Sequence, residues 1–356
     1  MLSLEETLAV QENLAELCAD RPLLTNETFP PNAFYGTAFI LREYAQLPPH
    51  NALKVAVPHG TYLSESYLWE AEKMALVPMI LCYPQYREGI YARETKKQVV
   101  PSAAPFVYLL ELMKHQPERA RMGTIFFPLH STHHVTAEMN LTDLAQNLLK
   151  LEDKYRPITV CLYWRDYNLG RHLPFQKCGL RVVSAGHIYD PLFLFRFYHL
   201  CSTHRYAASN EIGSSLFYSV KAGCSFFFFE AGPATVVASP EILKRDTALP
   251  SSKREAELRS LFQTPQPHMT DRQMQVVDYY LGTKYRKSSA GLRRQLRFAE
   301  FMDRFGFVVW NSGMLPRIVT PSKYRREGSL PLYKKYSWTR QKLSGLKRRI
   351  RQLVRS

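Results

Sequence analysis

Short apolar runs alternate with amphipathic stretches along most of the chain. Residues 53–57 (LKVAV) end at Pro58-His59-Gly60 and read as a buried parallel strand entering a loop. Residues 61–76 place Leu63, Tyr67, Leu68 and Met74 at helical spacing. Residues 77–82 (VPMILC) form the next apolar run, 98–101 a shorter one, and 105–115 a helix with proline in its first turn. A second series starts after Arg121. Strands are expected over 123–128, 157–164, 180–185, 206–209 and CSFFFFE. Helices are expected over 141–154 with Asn140 as cap, over 191–204 and over 214–222. Residues 240–300 are polar and helix-rich, with a loop near 263–268 and an amphipathic stretch over 292–304. Strands that alternate with helices predict an α/β fold with parallel sheets.

The length of 356 residues exceeds what one core usually supports and suggests two domains. The expected boundaries are 1–120, 121–310 and a basic tail over 311–356. No apolar stretch is long enough to span a bilayer, and the N-terminus is acidic where a leader would be basic. A cytoplasmic location is the expectation. The six cysteines stand singly, without a CxxC pair, so neither a zinc site nor a disulfide framework is expected.

Charge alters this picture in one place. The net charge is +16, yet twelve Lys/Arg and a single acid, Glu327, fall between Lys323 and Arg355. Leu343, Leu346, Ile350 and Leu353 form an apolar stripe flanked by Arg340, Lys342, Lys347, Arg348, Arg349 and Arg351, with Trp338 upstream. A basic amphipathic helix of this kind lies in a membrane interface and gains from anionic lipid. The expectation is peripheral attachment to the inner membrane face through Trp338, Arg340, Lys342, Leu346, Lys347, Arg348, Arg349, Ile350 and Arg351. Charge confined to a tail does not predict nucleic-acid binding over a whole surface, although binding through the tail stays open.

The polar residues with chemical potential cluster just after strands, where open parallel sheets bind ligands. Asn210, Glu211, Gly213, Ser214 and Ser215 precede or open a helix whose free N–H groups suit a phosphate. The competing reading is a plain serine cap. His187 ends another strand, and His130-Ser131-Thr132 a third, followed by His133 and His134. The histidines lack a metalloprotease spacing and an adjacent acidic ligand, so metal is the minority reading. Arg165 and Asp166 follow a fourth strand and form either a structural ion pair or a phosphate-neutralising cation beside a reactive carboxylate. His59, Asp166 and Glu65 are the candidates for a catalytic base. Glu65 and Glu72 fall on one face of the expected helix over 61–76, a face that equally suits solvent.

The segments VPHG, FPLHST, GHIYDP and SNEIGSSLFYSVKAG resemble bacterial surface-polysaccharide glycosyltransferases of the GT-B fold. The last two are similar to the histidine and double-serine motifs of sialyltransferases and polysialyltransferases, which hold the cytidine monophosphate part of the donor. The resemblance implies two Rossmann-like domains facing a cleft and metal-independent sugar transfer. It implies a nucleotide-sugar donor, with a CMP-sugar favoured, no cofactor, and a capsule or lipopolysaccharide glycan, lipid-linked or free, as acceptor. His187 and Ser214–Ser215 become donor-site candidates with His130, Ser131, Thr132, Arg165, Asn210, Glu211 and Gly213. The alternatives are a nucleic-acid-binding protein, a nucleotide-sugar epimerase or pyruvyl transferase on the same fold, and a non-catalytic scaffold.

Overall fold

The computed structural model describes residues 13–64, 68–115, 120–132, 135–230, 232, 234–238 and 252–309. The described residues up to Gly306 form one compact unit. The basic stripe over 338–353 and Glu65 lie outside the described residues.

Two parallel sheets organise the first unit. The smaller one contains β1 (Val55–Ala56), β2 (Met79–Cys82) and β3 (Gln98–Pro101) in the order β1-β2-β3. The larger one is built from β4 (Thr124–Phe127), β6 (Ile158–Cys161), β7 (Arg181–Val183), β8 (Tyr206–Ser209) and β9 (Ser225–Phe228). Their spatial order is β7-β6-β4-β8-β9, every pair parallel. The remaining strands, β5 (Val135–Met139) and β10 (Ala234–Ala238), pair antiparallel as a separate ribbon. The chain is therefore α/β with parallel sheets, as its apolar runs predict.

Those runs are continuous because both faces of each sheet are covered. In β4, Ile125 and Phe127 enter one core while Phe126 enters another. The first core also takes Val55, Met79 and Leu81 from the smaller sheet, so the two sheets share apolar packing. Ala56, Ile80 and Cys82 face the opposite way, toward Phe29 and Tyr91. Asn32 closes the exposed edge of β1. Its side chain donates to the Val55 carbonyl at 2.8 Å and accepts from the Val57 amide at 3.1 Å. That pair of bonds replaces a neighbouring strand.

The expected boundary near residue 120 falls between the sheets in sequence. The helices Asp271–Tyr280 and Ser289–Val309 nevertheless return to the smaller one. Ala104 donates to the Leu281 carbonyl at 2.8 Å, Lys287 Nζ to that of Pro101 at 3.1 Å, and Arg293 Nε to that of Ala45 at 2.7 Å. Lys54 pairs with Asp303 at 2.9 Å.

The structure corrects one element. Among the described residues of the expected helix over 61–76, the helix covers Glu70–Met74, and Trp69 before it is extended and turned against the His59 ring. The β5–β10 ribbon was not anticipated. All six cysteines are free. Among the described residues no helix is long and apolar enough to cross a membrane.

Gly36 fastens the N-terminal segment to the larger sheet. It adopts a φ of +77°, and a Cβ there would lie 2.0 Å from the Pro191 carbonyl oxygen. Beside it Tyr35 donates its amide to the Ile188 carbonyl at 2.7 Å. Gly36→Ala is expected to cost more than about 2 kcal/mol in urea unfolding. A loss under about 0.5 kcal/mol, typical of neutral surface changes, would contradict this close backbone contact.

Candidate functional site

Numbered along the chain, the larger sheet reads third, second, first, fourth, fifth. This is the Rossmann order, and its topological switch lies between β4 and β8. Chains leaving those two strands diverge to opposite sides, which opens a crevice at their carboxyl ends. Two contacts bridge it. Leu129 donates its amide to Asn210 Oδ1 at 2.7 Å, and His130 Nδ1 meets Glu211 Oε1 at 2.9 Å. Burial alone lowers the His130 pKa, but the charge and hydrogen bond of Glu211, with the charge of Asp166, outweigh it and raise the value above normal.

Ser131 and Asp166 hold the His130 loop in place. The Ser131 amide donates to both Asp166 oxygens, at 3.0 and 3.3 Å, and Ser131 Oγ accepts from the Ala137 amide at 3.2 Å. Asp166 is buried and lies 3.4 Å from Arg171. Burial raises its pKa, while the Ser131 bonds and the charges of Arg171 and His130 oppose the rise. This arrangement suits a carboxylate that fixes a loop. The Thr132 amide closes the same loop on the Val135 carbonyl at 2.8 Å. Arg165, in the helix Trp164–Asn168, is half-buried, and its Nε has no hydrogen-bond partner among the described residues. It is a cation suited to an anionic ligand.

His187 is completely buried. Its Nδ1 accepts from the Tyr189 amide at 3.2 Å, so a neutral ring carries its proton on Nε2, which faces Asp20 at 3.4 Å. Trp164 packs on the ring at 4.0 Å. The covering residues belong to the segment from Asn13 to Arg21. Asn168 Nδ2 holds the Cys18 carbonyl at 2.9 Å, and Arg21 approaches Asp190 at 3.8 Å. No reading of single motifs anticipated that cover.

The serine pair behaves differently. Gly213 is extended and precedes the helix Ser214–Lys221 without a side-chain cap. Ser214 Oγ accepts from the Thr61 amide at 3.1 Å. Thr61 follows β1 of the smaller sheet, so this bond brings the His59 loop to the helix opening. A Cβ on Gly60 would sit 3.4 Å from the same oxygen. His59 is half-buried among Phe34 at 5.7 Å and Trp69 at 4.7 Å, with the Tyr62 hydroxyl 3.2 Å from Nδ1. Burial lowers its pKa to about 4, so the imidazole is neutral near pH 7.

Ring contacts join the sites. His130 packs on Tyr163, Tyr163 on Trp164, Trp164 on His187, His187 on Tyr189, Tyr189 on Phe34, and Phe34 on His59. His59, His130, Arg165, His187, Asn210, Glu211 and Ser214 thus belong to one connected wall of strand-end loops. Among the described residues no three His, Cys, Asp or Glu side chains could together hold a metal ion. A concavity of about 460 Å³ lies at the opposite, amino ends of β8 and β9, lined by Arg121, Arg205, Lys221 and His268. Arg121 is occupied there by the carbonyls of Cys201, His204 and Ala222, and Lys221 by Asp278, so that end is structural.

No family model matches the chain, and no curated protein does. Several solved structures are similar to it, two of them glycosyltransferase structures. One is the crystal structure of the GtfA/B complex, 13% identical, with a TM-score of 0.34 over 74% of this chain and 55% of that one. The other is the pneumococcal O-GlcNAc transferase GtfA in complex with UDP and GlcNAc, 10% identical, with a TM-score of 0.33 over 74% and 54%. The chain spans about half the length of these structures. Likeness at that level leaves the chemistry to be argued from the site.

The His130–Glu211 pair has a testable sign. A histidine whose folded pKa is raised adds stability below its unfolded value of about 6.5 and loses it as pH rises through the folded value. Glu211→Gln should therefore destabilise more at about pH 5.5 than at about pH 8.5, by less than about 1 kcal/mol because the pair is part-exposed. Equal losses at both pH values in urea unfolding would contradict the assignment.

Proposed function

We propose that this chain is a metal-independent glycosyltransferase of GT-B type that moves a sugar from a nucleotide-sugar donor to a cell-surface glycan. The observation that carries the reading is the Thr61–Ser214 hydrogen bond. It sets a neutral histidine from one sheet beside a helix N-terminus from the other. Sugar transfer needs those two functions side by side.

The donor's departing phosphate gains negative charge as the glycosidic bond to it breaks. The free N–H groups at the start of Ser214–Lys221, the Ser215 hydroxyl, Arg165 and His130 supply donors and positive charge for it. The acceptor hydroxyl must lose a proton as its oxygen attacks the sugar carbon. His59, neutral near pH 7, takes it. Asp166 holds the phosphate-side loop and does not meet the substrate. His187 supports Trp164 and Tyr189 and leaves phosphate contact to the serine pair. The serine motif favours a CMP-sugar, and capsule or lipopolysaccharide is the proposed acceptor class.

A thermal-shift screen against CMP, UDP, GDP and their sugar conjugates tests this reading. A ligand that binds only the folded state raises the melting point. The expected outcome is a rise with one nucleotide that Ser214→Ala and Arg165→Gln each reduce and His187→Ala reduces less. No rise with any nucleotide at about millimolar concentration would end the transferase reading.

The basic stripe over 338–353 is proposed to hold the enzyme on the cytoplasmic face of the inner membrane, near a lipid-linked acceptor. Replacing Arg348, Arg349 and Arg351 by glutamine should remove co-sedimentation with anionic vesicles and leave the nucleotide response unchanged. Retained sedimentation would place membrane binding elsewhere.

A further inference from the structure

Beneath the His59 loop lies a buried polar cluster that sugar transfer, as set out above, does not use. Glu72, in the short helix Glu70–Met74, has no exposed surface. The Tyr91 hydroxyl donates to its Oε2 at 2.7 Å. Arg87, equally buried, donates from Nη1 to the Ser64 carbonyl at 2.7 Å. Its guanidinium lies over the Tyr62 ring at 4.8 Å and the Tyr91 ring at 5.3 Å. Tyr62 occupies the middle of this cluster. Its hydroxyl is 3.2 Å from His59 Nδ1, and it also hydrogen-bonds the Glu72 carboxyl. A phenol has one proton and can donate it to only one of these neighbours at a time.

We propose that Tyr62 is a proton relay between His59 and Glu72, a step that rests on the reading of His59 as the group that deprotonates the acceptor. The acceptor O–H bond breaks as an N–H bond forms at His59 Nε2. The proton on Nδ1 passes to the Tyr62 oxygen, and the original Tyr62 proton passes to the Glu72 carboxylate. One O–H bond is lost, one carboxyl O–H bond is gained, and the imidazole ends neutral as the other tautomer. No redox partner is required.

The surroundings favour this route over a charged imidazole. Phe34 and Trp69 flank His59, and burial lowers its pKa to about 4. Burial raises Glu72 to about 7, against the opposing effects of Tyr91, Arg87 and Tyr62. Both shifts favour the transferred proton on Glu72 over His59. The groups facing Glu72 are Tyr62, Tyr91 and Arg87, while Tyr83 and Cys82 feel its charge from β2 and the turn that follows. Of the rings beside His59, Phe34 and Trp69 carry no ionisable group and Tyr62 carries a phenol. Tyr62 and Glu72 are positioning residues, since neither meets the acceptor.

The resting tautomer of His59 reports the relay without any substrate. With Glu72 ionised, Tyr62 donates to it and accepts from Nδ1–H, leaving the Nε2 lone pair free. With Glu72 protonated, the chain of donors reverses and His59 holds its proton on Nε2. The experiment is 15N NMR of the full-length protein labelled at histidine, with His59→Gln used to assign the His59 signals. The expected result is an inversion of the tautomer ratio near pH 7 while the ring stays neutral. Tyr62→Phe should abolish the inversion, and Glu72→Gln, whose amide donates to Tyr62, should hold the Nε2–H form across the range. Melting points measured in parallel establish that both variants fold, and Glu72→Gln preserves the side-chain shape if Tyr62→Phe does not. A tautomer ratio independent of pH in the wild type, or an inversion that survives Tyr62→Phe, would overturn the relay. Failure of the nucleotide screen would end the transferase reading alone, because the tautomer readout needs no nucleotide.

Discussion

Phe106 stacks on Tyr218 with ring centroids 4.6 Å apart and meets Phe197 edge-on at 6.0 Å. Through these contacts the helix that follows the smaller sheet rests on two helices of the larger one. An aromatic pair of this type adds about 1 kcal/mol beyond the area it buries. Its larger consequence is geometric. Tyr218 lies one helical turn after Ser214, so packing Phe106 against it sets where the helix begins. The Thr61–Ser214 bond, the approach of the His59 loop and the connected wall of rings all depend on that placement.

The parallel strands were legible in the sequence because two-sided burial leaves uninterrupted apolar runs such as TIFF and ITVC. Asn140 was legible as a cap because the signal is local, and its side chain accepts from the amides of Thr142 and Asp143. The β5–β10 ribbon was not. Val135–Met139 is mostly part-exposed, and its partner comes from the far side of four intervening strands. The region over 61–76 misled for a related reason. Its apolar spacing is helical, yet Trp69 packs against His59 and the Ser64 carbonyl takes a hydrogen bond from Arg87 of the next unit.

The same limit applies to the site. Position after a strand singled out His59, His130, Arg165 and the serine pair as candidates, because parallel sheets impose that rule on any chain. It could not separate side chains that meet a ligand from those that hold a loop. Asp166 and Arg165 are neighbours, yet one is spent on the Ser131 amide and the other keeps a buried nitrogen unpaired. Glu72 looked as suited to solvent as to the site, since Tyr91 and Arg87, which bury it, arrive from the following unit.

Two of the strand-end histidines, His130 and His59, differ in their surroundings. His130 has a carboxylate 2.9 Å from Nδ1 and is favoured as a cation. His59 has aromatic rings and a phenol, and is favoured neutral. Environments that push like groups apart in proton affinity are how a site assigns acid and base roles. A cation belongs where negative charge develops, and a neutral imidazole where a proton must be accepted. In the transfer proposed above, a His59 that kept the proton would become an imidazolium and change the field around the site. Passing the proton through Tyr62 to the buried Glu72, as proposed, would keep the ring neutral. On that reading the low proton affinity of His59, a defect in an isolated base, favours passing the proton onward to Glu72.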